Sequence, residues 1–407
     1  MSDILSIIAG FDRRGNSNTH TYSLKGVPPC LTACSLVCHA WNDICRPHIF
    51  RIVEINAGTL TPRLSFLHFK APHLCNYVLN FRLSLDDRAD CEPFPAWLPD
   101  CFSRFGNLCT LYLIGGGSVN SSLAAPSPLD VGITTLLAAP LLRKLHFRKW
   151  TFAGDDLSVL LPTSSRLEDL SLNNIDTNMM NVVSSPVRFD ALQLLELYNI
   201  PHPLPGFKTF IECPNLRSLV AEWYGPLGWE LPLWVSTRFS ELTLNVSAWS
   251  GCPHFGEAIQ PSLLTINILG SGSCSSSIAW VEDCIASLPF PNLLHRVTIN
   301  IEVTGVNERK YEELHHELGN LCVFLYQLCD LGALQGIVLK IELFVSWVNT
   351  INDSYDVLDP SNEAKTEELV KLEGLFSALS ERDSLDFDVI LEWRTTSGAL
   401  VFYTRVQ

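Results

Sequence analysis

Residues 167–172 read Leu-Glu-Asp-Leu-Ser-Leu, and residues 192–197 read Leu-Gln-Leu-Leu-Glu-Leu, starting 25 residues further on. The same apolar-x-x-apolar-x-apolar triplet precedes them as Leu108/Leu111/Leu113 and Leu142/Leu145/Phe147. It follows them as Leu216/Leu219/Ala221, Phe239/Leu242/Leu244, Leu263/Ile266/Ile268, Leu294/Val297/Ile299 and Leu334/Ile337/Leu339. The triplet alone carries little weight in a chain of 407 residues that is 47% hydrophobic and holds 63 leucines. The spacing carries the weight. Successive first positions differ by 34, 25, 25, 24, 23, 24, 31 and 40 residues.

A period of roughly 20–29 residues headed by L-x-x-L-x-L is the signature of a leucine-rich repeat. The second and third positions of each triplet are two apart, so they share one face of a short strand, and the residue between them points the other way. Stacked repeats bury the leucines in a continuous core that no single repeat could form. Short returns are punctuated by Pro140, Pro162, Pro201, Pro214 and Pro261, and Pro214-Asn215-Leu216 reads as a turn entering a strand. Ile175 and Ile200 stand where such repeats usually carry asparagine, which predicts uneven curvature. The expected fold is α/β: an irregular leucine-rich-repeat solenoid over residues 56–348, preceded by a small N-terminal helical unit over 1–55. The residues between the paired inward positions are Tyr112, His146, Ser171, Glu196, Thr243, Asn267 and Thr298. Strand alternation places them on the concave side, where they are expected to meet a target protein.

Length and charge bound the rest. At 407 residues the chain exceeds the roughly 250–300 at which single compact cores stop growing, which predicts two units or one elongated repeat unit. The formal net charge of −15 argues against a general binder of nucleic acid or anionic membrane, because both need a basic face. The excess is local: residues 352–392 hold twelve acids and three bases. None of the 14 cysteines forms a C-x-x-C pair. The first residues, MSDILSIIAGFDRRG, place acid before the apolar run and arginine after it, unlike a secretory signal. A reducing setting, cytoplasmic or nuclear, is expected, with cysteines serving as small buried apolar residues.

The C-terminal flank differs from the repeats. In 309–331, Leu314, Leu318, Leu321, Leu325 and Leu328 alternate by four and three, which predicts one apolar helix face. Residues 349–407 read as an acidic loop, broken by Pro360, and a capping unit. Within it 369–379 is helical in pattern and 387–393 alternates like a closing strand.

No catalytic constellation is evident, and no metal or cofactor is expected. Gly115-Gly116-Gly117-Ser118 lacks the following Gly-Lys-Ser/Thr of a phosphate loop. G-x-S-x-G is absent, and His315-His316-Glu317 is not H-E-x-x-H. Cys30, Cys34 and Cys38 would lie on one helical face, too linear to close a tetrahedral zinc site with Cys45, His39 and His48. Arg143, Lys144, Arg148 and Lys149 are expected to balance neighbouring acids. The aromatic-dense stretch 223–234, with Trp223, Tyr224, Trp229 and Trp234, suits packing of a connection or, more sharply, a partner-binding loop.

The N-terminal texture is distinct. Residues 31–41 read Leu-Thr-Ala-Cys-Ser-Leu-Val-Cys-His-Ala-Trp, and 46–50 read Arg-Pro-His-Ile-Phe. Leu31, Cys34, Cys38 and Trp41 fall at steps of three and four, as on one helix. This pattern resembles the F-box in the form common among basidiomycete fungi, and Asp3-Ile4-Leu5-Ser6-Ile7-Ile8 resembles its first helix. The resemblance covers about residues 1–55, and F-box proteins of this kind often continue into degenerate leucine-rich repeats.

The resemblance implies a substrate-recognition subunit of a Skp–cullin–F-box ubiquitin ligase rather than an enzyme. It implies that Ile4, Leu5, Ile8, Leu31, Leu36 and Val37 contact a Skp-family adaptor, and through it a cullin. Cys34, Cys38, Trp41, Pro47 and Phe50 would form the core of the helical unit. The competing reading is a protein-interaction scaffold whose F-box remnant only caps the solenoid.

Overall fold

The computed structural model describes residues 29–56, 59–85, 94–116, 127–152, 166–177, 187–199, 211–223, 240–247, 260–271, 274–288, 293–304, 308–330, 334–345, 385–395 and 400–406, with 374, 376, 377, 379 and 381 between. The leucine triplets become strands. In chain order the strands are β1 (Ile52–Asn56), β2 (Asn80–Ser84), β3 (Thr110–Gly116), β4 (Lys144–Phe152), β5 (Asp169–Asn173), β6 (Asp176–Thr177), β7 (Val187–Arg188) and β8 (Leu194–Tyr198). There follow β9 (Ile211–Glu212), β10 (Ser218–Trp223), β11 (Glu241–Ser247), β12 (Leu263–Ser271), β13 (Arg296–Thr304), β14 (Gly336–Val345), β15 (Asp386–Thr395) and β16 (Leu400–Val406).

Twelve of them form one open, all-parallel sheet whose order follows the chain: β1, β2, β3, β4, β5, β8, β10, β11, β12, β13, β14 and β15. Strand order that follows the chain without reversing is compatible with a solenoid. The remaining strand of the path, β16, runs antiparallel to β15 at the far edge. The short β6 pairs with β4, and β7 pairs with β9 along the returns.

A repeated backbone device sets the register. One carbonyl at each strand entry accepts two successive amides of the next strand. Leu79 O takes the amides of Cys109 and Thr110 at 2.8 and 3.0 Å, and Arg143 O takes those of Glu168 and Asp169 at 2.8 and 3.0 Å. Arg217 O takes those of Ser240 and Glu241 at 2.9 and 3.0 Å. Side chains reinforce it from one repeat to the previous one: Asn107 Nδ2 donates to Asn76 O, and Asn215 Nδ2 to Asp190 O, each at 2.7 Å. Strand exits repeat as well. Gly115, Lys149, Asn174 and Asn199 all adopt positive φ, each two residues after the inward Leu113, Phe147, Leu172 and Leu197. Asparagine tolerates that left-handed conformation. Asn174 therefore turns the chain, and Ile175 behind it enters the core fully buried.

The core is one continuous cluster running along the inner face of the sheet from Ile55 to Val389. Leu111, Leu145, Leu170, Leu195, Leu219, Val297 and Ile337 have no exposed surface. Burying each such side chain contributes about 1.5–3 kcal/mol. Helical returns close this face, and the helix Pro128–Leu137 begins with a capping box in which Ser127 and Asp130 bond reciprocally. Gly132 on that helix permits close packing, since a Cβ there would stand 2.8 Å from the Phe102 ring of the helix Leu98–Ser103. The helix Glu308–Asp330 presents Leu318, Leu321, Leu325 and Leu328 to the core, as their spacing predicts.

Four sequence expectations are corrected. Residues 31–41 are not one helix: the helix Pro29–Ser35 ends at a turn over Leu36 and Val37, Cys38 is extended, and a second helix spans His39–Ile49. Steps of three and four are equally satisfied by two helices facing one another, so the spacing is blind to the break. The sheet starts before residue 108, because β1 and β2 carry Val53/Ile55 and Phe81/Leu83 in register with Leu111/Leu113. Leu264, not Ile266, lies beside Leu242, and Leu263 is partly exposed. A further strand, β16, follows the closing strand read at 387–393.

Candidate functional site

Two surfaces carry the residues singled out by the sequence. The first is the N-terminal helix pair, which sits beside the first return; Phe50 packs on the core there. Leu31 is buried and so faces inward rather than outward, and Cys45 joins it with no exposed surface. Leu36 and Val37 project from the turn between the helices, 83% and 71% exposed. The turn is closed by the amides of Leu36 and Val37 donating to Ala33 O and Cys34 O, both at 3.1 Å. Cys34, Trp41 and Pro47 are half-buried, whereas Cys38 is exposed and does not belong to the core. Because Cys38 begins the second helix, Cys34 and Cys38 do not share one helical face. Ile4, Leu5 and Ile8 lie outside the described residues.

The second surface is the outer, polar face of the sheet. Register places Glu54, Arg82, Tyr112, His146, Ser171 and Glu196 in one row across β1 to β8. The row continues through Val220, Thr243, Thr265, Thr298, Val338 and Asp388 across β10 to β15. Six of the seven predicted residues therefore share a row. Asn267 stands two residues along, in the next row. A slip of two keeps a side chain on its face and changes only its row, which is why alternation alone could not detect it.

At the β2–β5 end, the rings of Tyr112 and His146 stack with centroids 4.3 Å apart and 6° between planes. Arg82 Nη1 meets Glu54 Oε1 at 3.3 Å, Arg143 Nε meets Glu168 Oε1 at 3.3 Å, and Lys144 pairs with Asp169. The basic cluster around β4 thus finds neighbouring acids for two of its members. Burial pushes the His146 imidazole down to about 4, with Lys144 adding to the effect and Asp169 opposing it. Burial and the Glu196 charge push the Tyr112 phenol up. Ser171 and Glu196 are buried, contrary to the exposure expected of them, and Tyr112 and His146 are half-buried.

At the β11–β13 end the face is a grid. Thr243-Leu-Asn245, Thr265-Ile-Asn267 and Thr298-Ile-Asn300 occupy three adjacent strands in exact register. Asn267 Nδ2 donates to Asn245 Oδ1 and Asn300 Nδ2 to Asn267 Oδ1, each at 2.6 Å. Lys340 extends the asparagine row and meets Glu342 at 2.5 Å. Glu302 faces Glu342 in register, and burial followed by that neighbouring charge pushes its carboxyl up. The sequence reading missed Glu54, Arg82, Thr265, Asn245 and Asn300. The recurrence of Thr-x-Asn in ELTLNVS, LLTINILGS and RVTINIEVT was the available signal for the last three.

Both ends offer hydrogen-bond donors and acceptors at strand spacing, suited to contact with an extended partner. Among the described residues no group of three or more His, Cys, Asp or Glu could hold a metal ion, and no helix is long and apolar enough to cross a membrane. Gly117, Ser118 and residues 224–234 lie outside the described residues. No protein-family model matches the chain, and no curated protein and no solved structure matches it.

Proposed function

We propose that the chain is the substrate-recognition subunit of a Skp–cullin–F-box ubiquitin ligase, in which residues 1–55 hold the Skp-family adaptor and a degenerate leucine-rich-repeat surface holds the target. The observation that carries the adaptor half is the uncovered Leu36–Val37 turn. Two large apolar side chains project into solvent from the turn, while Leu31 and Cys45 of the flanking helices are buried and Trp41 is half-buried. Apolar anchors at the tip of a small helical unit gain most by insertion into a partner. The sequence adds Ile4, Leu5 and Ile8 to the same contact. The outer face of the sheet, with its Tyr112–His146 stack and threonine–asparagine grid, supports the target half. Catalysis would then be proximity: a target lysine is held near a charged ubiquitin-conjugating enzyme, and this chain supplies no chemical group. It acts with no cofactor, nucleic acid or membrane.

Co-expression with the adaptor tests the reading. The wild-type chain should copurify with it. Leu36→Asp with Val37→Asp should weaken binding by about 30-fold or more, the equivalent of losing a ~2 kcal/mol anchor, and leave urea unfolding of the repeats unchanged. Absence of wild-type binding at micromolar concentration would leave the interaction-scaffold reading in its place.

A further inference from the structure

The rim of the sheet where the strands begin carries a cleft that neither the N-terminal helices nor the outer row of the sheet uses. Its volume is about 320 Å³, at the small end of the roughly 300–1,000 Å³ of ligand pockets. Glu168, Asp190, Ala191, Gln193, Asn215 and Arg217 line it, from the entries to β5, β8 and β10.

Its position follows from a missing tie. In three repeats the residue just before the first leucine of the triplet reaches back to the preceding return. Asn107 Nδ2 donates to Asn76 O at 2.7 Å, Arg166 Nη1 to Pro140 O at 2.9 Å, and Asn215 Nδ2 to Asp190 O at 2.7 Å. In the repeat that enters β8 this residue is Ala191, which has no side-chain donor and fills little space. The cleft opens there, and the other five lining side chains are polar.

The charges around it are unevenly matched. Glu168, Gln193 and Arg217 form a column, because the Gln193 amide donates to Glu168 O at 2.8 Å and the Arg217 amide to Gln193 O at 2.9 Å. Neighbouring strands bring such residues about 4.8 Å apart. Arg143, one step earlier, meets Glu168 at 3.3 Å, and Arg188 meets Asp190 at 2.7 Å. Both carboxylates of the cleft are thus already met by arginines. Arg217 is exposed, its neighbours in the column are the neutral Gln193 and Ser240, and no carboxylate among the described residues pairs with it. The cleft therefore has a guanidinium to spare, and that planar fork suits a carboxylate held by two parallel hydrogen bonds. Gln193 supplies amide donors beside it. The carboxylates of Glu168 and Asp190 each have further lone pairs to accept N–H groups, and their charge works against a compact dianion.

We propose that this cleft binds a carboxylate flanked by N–H groups, the chemistry shared by a free amino acid and the C-terminal end of a peptide. Arg217 takes the carboxylate, Gln193 donates beside it, and Glu168 and Asp190 accept the N–H groups. Ala191 keeps the space open. The site stands apart from the adaptor and target surfaces, since none of its lining residues belongs to either.

Calorimetry on the full-length protein at low salt tests this with alanine, N-acetyl-alanyl-alanine, the C-terminal amide of that dipeptide, and inorganic phosphate. One of the two carboxylate probes should bind at millimolar concentration or below, with the amide and phosphate about tenfold weaker or more. Tighter binding of alanine assigns an amino acid, and tighter binding of the acetylated dipeptide a peptide end. Arg217→Gln should weaken the better probe about tenfold or more, and Ala191→Asn should weaken it by closing the space. Arg51→Gln removes an exposed arginine from the corresponding entry position of β1 and should change nothing. Urea midpoints check that each variant is folded. If Arg217→Gln does not fold, Arg217→Lys replaces it and should also weaken binding, because it keeps the charge and loses the fork. The proposal is overturned if neither carboxylate probe binds at millimolar concentration, if the amide or phosphate binds as tightly, or if Arg51→Gln costs as much as the Arg217 variant.

Discussion

The outer face over β2 to β5 and that over β11 to β13 are raised on one backbone plan and held by different means. Over β2 to β5, each contact is between unlike partners: Arg82 with Glu54, Tyr112 with His146, Lys144 with Asp169. Over β11 to β13, like groups stack on like, threonine beside threonine and asparagine bonded to asparagine. The inner faces beneath them are both rows of buried apolar side chains, aliphatic over β11 to β13 and with Phe81 and Phe147 among the leucines over β2 to β5. The solenoid-compatible sheet therefore demands only the inner residues, and the outer row is left free to take on recognition chemistry that differs from one end to the other.

The largest expected effect probes the shared inner face. Leu145→Ala on β4 and Ile299→Ala on β13 remove side chains with no exposed surface. Each should destabilise its end by about 2–5 kcal/mol in urea unfolding followed by local hydrogen exchange. A large inequality between them would break the equivalence just drawn.

Acid should separate the two ends. The folded value of His146, about 4, lies below its ordinary 6.5, so the unfolded chain takes up this proton first. The stability it contributes is fully present above about pH 6.5 and lost as pH falls toward 4, by up to ~3 kcal/mol. Glu302 has the opposite sign. Its folded value is raised, so its contribution is present below the unfolded value and lost as pH rises through the folded one. Thermal unfolding from pH 4 to 7 should show His146→Gln flattening the acid-side loss and Glu302→Gln removing the opposing slope.

A smaller effect is expected from the ladder. Asn267→Ala strips a partner from Asn245 and from Asn300 at once, and should cost about 1–3 kcal/mol by denaturant titration. Thr265→Val, one row away on the same strand, should be nearly neutral; equal costs would show that the hydrogen bonds are not what distinguishes the grid. Smallest is the partly exposed Arg82–Glu54 pair at the other end. Arg82→Ala should change stability by only ~0.2–1 kcal/mol, less in high salt.

How much of this was legible in sequence differs between the two faces. The leucine period gave the inner row because burial tolerates only apolar side chains at those positions, and Leu170 and Leu195 announce themselves. Phe50/Val53/Ile55 and Val78/Phe81/Leu83 obey the same triplet, so the first two strands were equally readable. The outer row was legible as a face and not as a row. Nothing local tells whether Ile266 or Leu264 stands beside Leu242, and the entry carbonyls decide it through amides a whole repeat away.

By itself, then, the sequence determined an α/β chain with a periodic apolar stripe, a helix over 309–331 and an N-terminal segment of another character. Period and polarity are local properties that survive without a partner strand. Only the tertiary structure decided that Leu31 turns inward while Leu36 and Val37 turn out, that Ser171 and Glu196 lose their solvent, and that three asparagines separated by 22 and 33 residues close into one hydrogen-bonded row. Each of those outcomes depends on which neighbour arrives beside a residue, and stacking fixes that only when the whole sheet is assembled.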